Sequence, residues 1–171
     1  LADVVSFGVA PSFLAFVLLK DGDLQWWHFF PFIMAVFSAF RLAKFNLDER
    51  QSDSFIGLPT PANALFWLSI PLIEWQAVHN PSNLASFFNG LFQGEWLIMV
   101  FSLLLSLLLI AELPLIALKF KNLSWKDNSL RFIFLGGSLL LIVLLNFIAV
   151  PFILILYIIL SVIHNRTIPK K

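Results

Sequence analysis

Apolar residues occur in six long stretches along this chain, separated by short polar or charged segments. A helix that spans the hydrocarbon core of a bilayer needs about 20 such residues. The pattern therefore predicts an all-α, polytopic membrane helix bundle with about six transmembrane helices, of which the first and the last are short. The stretches run over residues 4–19, 27–43, 55–75, 96–118, 130–149 and 151–164.

The composition agrees with this prediction and excludes several classes of protein. Hydrophobic residues make up 60% of the chain, charged residues only 12%, and the mean hydropathy is +0.90. A soluble domain could not bury that much apolar surface. The chain has no cysteine for a disulfide or a thiolate metal site, and its net charge of +1 suggests no nucleic-acid partner. We expect residues 1–171 to form a single membrane domain.

Basic residues lie almost entirely on one side when the six stretches are threaded alternately through a bilayer. The segments 41–53 and 119–131 and the tail contain every Lys and Arg except Lys20. Cytoplasmic loops are enriched in these residues. The pattern predicts that this side, with the C-terminus, faces the cytoplasm.

The same threading places charged side chains at one level. Asp3 begins the first stretch, while Arg41, Lys44 and Asn46 end the second. Arg41 and Lys44 are three residues apart and share part of a helix face, where two cations could hold an anion. A basic loop that only follows the positive-inside rule, with both side chains reaching toward lipid head groups, remains the alternative.

Three segments carry a resemblance to a known family. Residues 1–11, LADVVSFGVAP, are similar to the stretch that holds the last aspartate of the signature D-x-x-D-G-x-x-A-R-x8-G-x3-D-x3-D. Residues 41–46, RLAKFN, are similar to R-L-A-R-F-N with one Lys for Arg, and residues 55–62, FIGLPTPA, to F-x-G-L-P-x-P-A. The chain thus resembles the bacterial CDP-diacylglycerol–serine O-phosphatidyltransferases of the CDP-alcohol phosphatidyltransferase superfamily.

This resemblance implies an enzyme of phospholipid biosynthesis in the bacterial inner membrane. Its expected partners are the lipid bilayer, CDP-diacylglycerol and L-serine. The expected products are phosphatidylserine and CMP, and the enzyme is expected to form a homodimer. It implies Mg²⁺ or Mn²⁺ as cofactor, Asp3 as catalytic base and metal ligand, and Arg41 and Lys44 as substrate-binding residues.

The resemblance also implies that most of the aspartate signature would precede Leu1, in which case this chain alone would be inactive. Two other functions stay open. One is a related transferase that uses another acceptor alcohol, and the other is a non-catalytic membrane transport or assembly protein.

Several further residues carry weaker expectations. Glu112 is the one acid well inside an apolar stretch, and both a functional role and a pairing with a basic residue fit it. The small residues Ser6, Gly8, Ala10 and Ser12 would permit close helix packing. Residues 79–94 are expected to form an external loop with a possible amphipathic piece.

Overall fold

The computed structural model describes residues 1–19, 23–47, 54–116, 118 and 124–167. It confirms the all-α prediction. The helices are α1 (Ala2–Leu19, with a π-helical turn at Val5–Val9), α2 (Ile33–Leu47, entered through a 3₁₀ segment Trp26–Phe32), α3 (Thr60–His79), α4 (Asn83–Phe92), α5 (Glu95–Ile110), α6 (Trp125–Leu145) and α7 (Ala149–Thr167). Two three-residue strands, β1 (Ser54–Ile56) and β2 (Pro114–Ile116), pair antiparallel.

The six predicted stretches do not correspond one to one with the helices of the described residues that meet the length and hydropathy of a membrane span. Within the described residues, Ala2–Leu19, Trp26–Phe45 and Asn128–His164 are long and apolar enough to cross a membrane. Asn83–Phe92 and Glu95–Ile110, bent by 82°, would make a fourth span if they crossed together. The third predicted stretch corresponds to α3. This helix is absent from the set because polar residues such as Asn63, Glu74 and Gln76 lower its mean hydropathy.

The longest apolar segment folds back on itself. Asn146 separates α6 from α7 with a φ of 52°, and the rings of Phe134 and Tyr157 lie 5.6 Å apart across the two arms. Gln76 of α3 holds this turn: its Nε2 donates to Leu145 O (3.1 Å) and its Oε1 accepts from Phe147 N–H (2.9 Å). The buried side chain of Gln76, on another helix, therefore supplies hydrogen-bond partners for backbone groups of the turn that have none within the helices.

The region predicted as an external loop contains a helix instead. Ser82 caps α4 by accepting a hydrogen bond from Ala85 N–H (3.1 Å). Ala85 and Phe92 are buried, and the Phe92 ring lies 6.0 Å from Phe66 of α3. The loop prediction was wrong because these apolar positions, spaced along one helix face, find a partner in α3; only the amphipathic piece is confirmed.

Candidate functional site

Helices α1 and α2 approach closely at Gly8. A Cβ added there would lie 3.0 Å from Ser38 Cβ and 3.4 Å from Ala35 Cα, so the two backbones can be this near only without a side chain. The expected close packing is confirmed for Gly8 and Ser12, which are buried, whereas Ser6 and Ala10 are exposed.

The contact at Gly8 sets the level of the charged residues. Asp3 precedes Gly8 by five residues and Arg41 follows Ser38 by three, rises of about 7.5 and about 4.5 Å along antiparallel helices. The first turn of α1 also contacts α2 directly. Asp3 and Arg41 therefore lie toward the same end of the helix pair.

Asp3 is exposed at the start of α1. None of the described residues forms a hydrogen bond or an ion pair with its carboxylate. An exposed carboxylate without a protein partner can accept a proton from, or ligate, an incoming group. Its catalytic role stays a prediction.

Arg41 is almost buried, with 7% of its surface exposed. Its Nε has no hydrogen-bond partner and the residue lines a cavity of about 10 Å³, together with Lys44, Phe45, Ile56, Leu109 and Ile110. That space is sufficient for about one water molecule. A buried guanidinium with an unpaired N–H is costly unless it meets an acceptor, so an anionic group at this position would satisfy it.

Lys44 forms an ion pair with Glu112. Its Nζ lies 3.1 Å from Glu112 Oε1, and the two side chains are 37% and 73% exposed. The pairing of Glu112 with a basic residue is therefore confirmed, and it joins the end of α2 to the segment after α5. Exposed pairs of this kind contribute about 0–1 kcal/mol, so its main effect is to hold Lys44 near Arg41.

The chain conformation at residue 57 requires a glycine. Its φ is +78°, and a Cβ would lie 2.4 Å from Leu109 O at the end of α5. Gly57 N–H donates to Leu113 O (2.9 Å), and Leu58 N–H to Leu108 O (2.8 Å). Leu58 thus caps a carbonyl in the last turn of α5, Gly57 binds the segment that follows α5, and the chain leads directly into α3.

Similarity to curated proteins decides the relationship. Over 127 residues the chain is 32% identical to CDP-diacylglycerol–serine O-phosphatidyltransferases from two strains of Helicobacter pylori, 26695 and J99. The match covers 73% of this chain and 48% of each relative. The chain is related to the CDP-diacylglycerol–serine O-phosphatidyltransferases. It spans about half the length of these relatives. No family model matches the chain, and no solved structure does.

In this phosphatidyltransferase relative, two side chains of α7 hold the strand β2 beside the site. Tyr157 Oη donates to Ile116 O (2.9 Å), and Ser161 Oγ accepts from Ile116 N–H (3.2 Å). Both side chains hold β2, which pairs with β1 and so positions Gly57. The guanidinium of Arg41 also lies within electrostatic range of Tyr157. Sequence reasoning missed Tyr157, although it is the one tyrosine of the chain and interrupts a purely apolar run.

The described residues of this phosphatidyltransferase relative do not by themselves form a divalent metal site. No three His, Asp or Glu side chains among them converge. Mg²⁺ requires near-octahedral oxygen coordination, which Asp3 alone cannot supply. The metal therefore stays a prediction, in which Asp3 would supply one ligand and the other ligands would come from outside the described residues.

Other predicted features fall outside the described part. These are the polar loop 48–53 with Arg50, the basic residues Lys20, Lys119, Lys121, Lys170 and Lys171, and the side chains of Asn46, Lys126 and Arg166.

Proposed function

We propose that the protein containing this chain is a phosphatidyltransferase of phospholipid synthesis, which transfers the phosphatidyl group of CDP-diacylglycerol to the hydroxyl of L-serine and yields phosphatidylserine and CMP. The observation that carries this proposal is the placement of an exposed carboxylate, Asp3, and two cations, Arg41 and Lys44, toward one end of two closely packed membrane helices. The relationship to the two Helicobacter pylori enzymes supports it.

The residues divide the chemistry between them. Asp3 accepts the proton of the serine hydroxyl as the serine oxygen forms a bond to the phosphorus of the phosphatidyl group. The bond from that phosphorus to the oxygen of CMP breaks, and CMP leaves with the electron pair. Arg41 binds an anionic group of a substrate through two N–H groups, and Lys44 adds a point charge beside it.

A divalent cation, Mg²⁺ or Mn²⁺, would neutralise the diphosphate of the donor. Its further ligands would have to come from carboxylates other than those of the described residues. We propose that this chain is one part of the enzyme's membrane domain, since it spans about half the length of the relatives it matches.

The setting follows from the distribution of charge. Ten of the eleven basic residues lie on the side of Arg41 in the alternating arrangement. We therefore propose that the site faces the cytoplasm from the bacterial inner membrane. We also propose that the enzyme is a homodimer, as the family resemblance implies.

The test is an acceptor assay on the full-length protein in lipid vesicles. CDP-diacylglycerol is supplied with labelled serine, glycerol 3-phosphate or inositol, and CMP and labelled lipid are measured together. The proposal expects CMP release that depends on serine and yields labelled phosphatidylserine. Release with another alcohol alone would contradict serine as the acceptor. Absence of release with every alcohol, in the presence of Mg²⁺ or Mn²⁺, would favour a non-catalytic membrane protein.

A further inference from the structure

An apolar groove of about 320 Å³ lies where the start of α3 meets α7 and the middle of α6. This volume falls within the range of about 300–1,000 Å³ that is common for small-molecule sites. Tyr157 carries the one polar side chain of its lining. The lining residues are Pro59, Pro61, Ala62, Leu65, Leu118, Phe134, Val150, Ile153, Leu154 and Tyr157.

The groove has a closed floor and an open side. Leu154 and Tyr157 are buried at 9% and 6% exposure, while Leu65 and Leu118 on the rim are 57% and 44% exposed. Phe134 and Leu154 belong to the apolar hairpin segment Asn128–His164, which is suited to a bilayer. A molecule could therefore enter the groove sideways from the lipid phase.

The two ends of the groove differ in polarity. At one end Tyr157 donates to the carbonyl of Ile116, in the strand that pairs with β1, and Ile56 of β1 lines the small cavity at Arg41. At the other end Val150 is seven residues earlier on α7, about 10 Å away along the helix, and no charged residue lies between them. This gradient matches a lipid whose anionic head group lies toward Arg41 and whose hydrocarbon chain extends toward Val150.

We propose that this groove holds an acyl chain of the phosphatidyl donor and that Val150, at its far end, limits the length of the chain that fits. The inference rests on the proposed function, because that function places the anionic head group of the donor at Arg41. The groove also directly follows the Gly57–Pro59 segment, so head group and chain occupy adjoining spaces.

The test compares two valine substitutions in the full-length protein. Val150→Phe fills the far end of the groove, whereas Val143→Phe makes the same change on α6 at a position that is 69% exposed and does not line the groove. Turnover is measured with dipalmitoyl and dioctanoyl CDP-diacylglycerol. We expect Val150→Phe to lower the ratio of long-chain to short-chain kcat/KM by roughly tenfold, as apolar pockets discriminate methylenes. Val143→Phe should leave the ratio unchanged. An unchanged ratio in Val150→Phe would overturn the proposal.

A second measurement separates failure of the groove from failure of the proposed function. Phosphatidylglycerol with a photoreactive diazirine at the chain end is incorporated into the vesicles, and cross-linked peptides are identified by mass spectrometry. Labelling of residues 150–157 that decreases in Val150→Phe, but not in Val143→Phe, supports the groove even if wild type transfers nothing from any donor. Labelling that avoids these residues would overturn it.

Discussion

The N-terminal helix pair and the C-terminal hairpin are both antiparallel, yet different residues hold them together. Helices α1 and α2 meet through Gly8 and Ser38, whereas α6 and α7 meet through larger groups such as the Phe134 and Tyr157 rings. Charges follow the same division: the helix pair carries Asp3, Arg41 and Lys44, and residues 132–163 of the hairpin carry none.

The charged residues of the candidate site therefore lie in one region, and residues that hold the structure around it lie in the other. Small residues let two backbones approach and bring charged side chains to a common level, while bulky residues fill space. The hairpin acts on the site indirectly, because Tyr157 and Ser161 hold β2. Substitutions in the two regions should therefore affect different measurements.

The largest effect is expected from Asp3→Asn, which keeps the shape of the side chain but removes the proton acceptor. We expect kcat for CMP release in the full-length protein to fall on the order of 10²- to 10⁴-fold. Because Asp3 is exposed and has no partner among the described residues, the unfolding free energy should stay within about 0.5 kcal/mol of wild type. Undiminished kcat would remove Asp3 from catalysis.

Gly57→Ala should produce the next largest effect, on stability. The new Cβ would meet Leu109 O at 2.4 Å with φ at +78°, and we expect a loss of about 2–4 kcal/mol in unfolding by SDS in mixed micelles. Gly90→Ala is the matched control, since a Cβ there meets nothing within 4 Å and should stabilise α4 by about 0.5–1 kcal/mol. Equal stabilities of the two variants would contradict the capping of α5 by this segment.

Gln76→Leu tests the hairpin. It removes the hydrogen bonds to Leu145 O and Phe147 N–H, and leaving these buried groups unpaired should cost about 1–3 kcal/mol of stability. The KM for serine should not change, because the turn lies far from Arg41. Gln93→Leu at an exposed position is the control and should be nearly neutral. A raised serine KM in Gln76→Leu would show that the two regions are not separable in this way.

Lys44→Met should lower stability only slightly. The Lys44–Glu112 pair is partly exposed, so its loss should cost less than about 1 kcal/mol, and the difference from wild type should shrink in 1 M salt. A salt-independent loss well above this value would mean that the pair holds α2 against α5 more strongly than its exposure suggests.

Local patterns predicted much of this fold. The apolar runs predicted the helices, Gly8 in a run of small residues predicted the close packing of α1, and a basic partner was one of the two expectations for Glu112. These inferences needed only spacing along one helix or a single out-of-place charge.

Features that depend on distant residues could not be predicted. Leu58 N–H caps α5 about 50 residues later in the chain, and Gln76 holds a turn about 70 residues later. Helix α4 was assigned to a loop because its short apolar face is stabilised by residues distant in the chain, such as Phe66 and Phe152. The match between apolar stretches and candidate spans is incomplete because polar residues interrupt α3, because α4 and α5 bend by 82°, and because the last two stretches are the two arms of one hairpin segment.

The most direct test of the central claim is a double-mutant cycle between Asp3→Glu and Arg41→Lys, measured as kcat/KM for serine-dependent CMP release. Asp3→Glu keeps a carboxylate, so activity should remain measurable. If both residues act on one bound substrate, the two effects should be non-additive, with a coupling of about 0.5–3 kcal/mol. Additivity within about 0.3–0.5 kcal/mol would mean that they do not share a site, and would contradict the account.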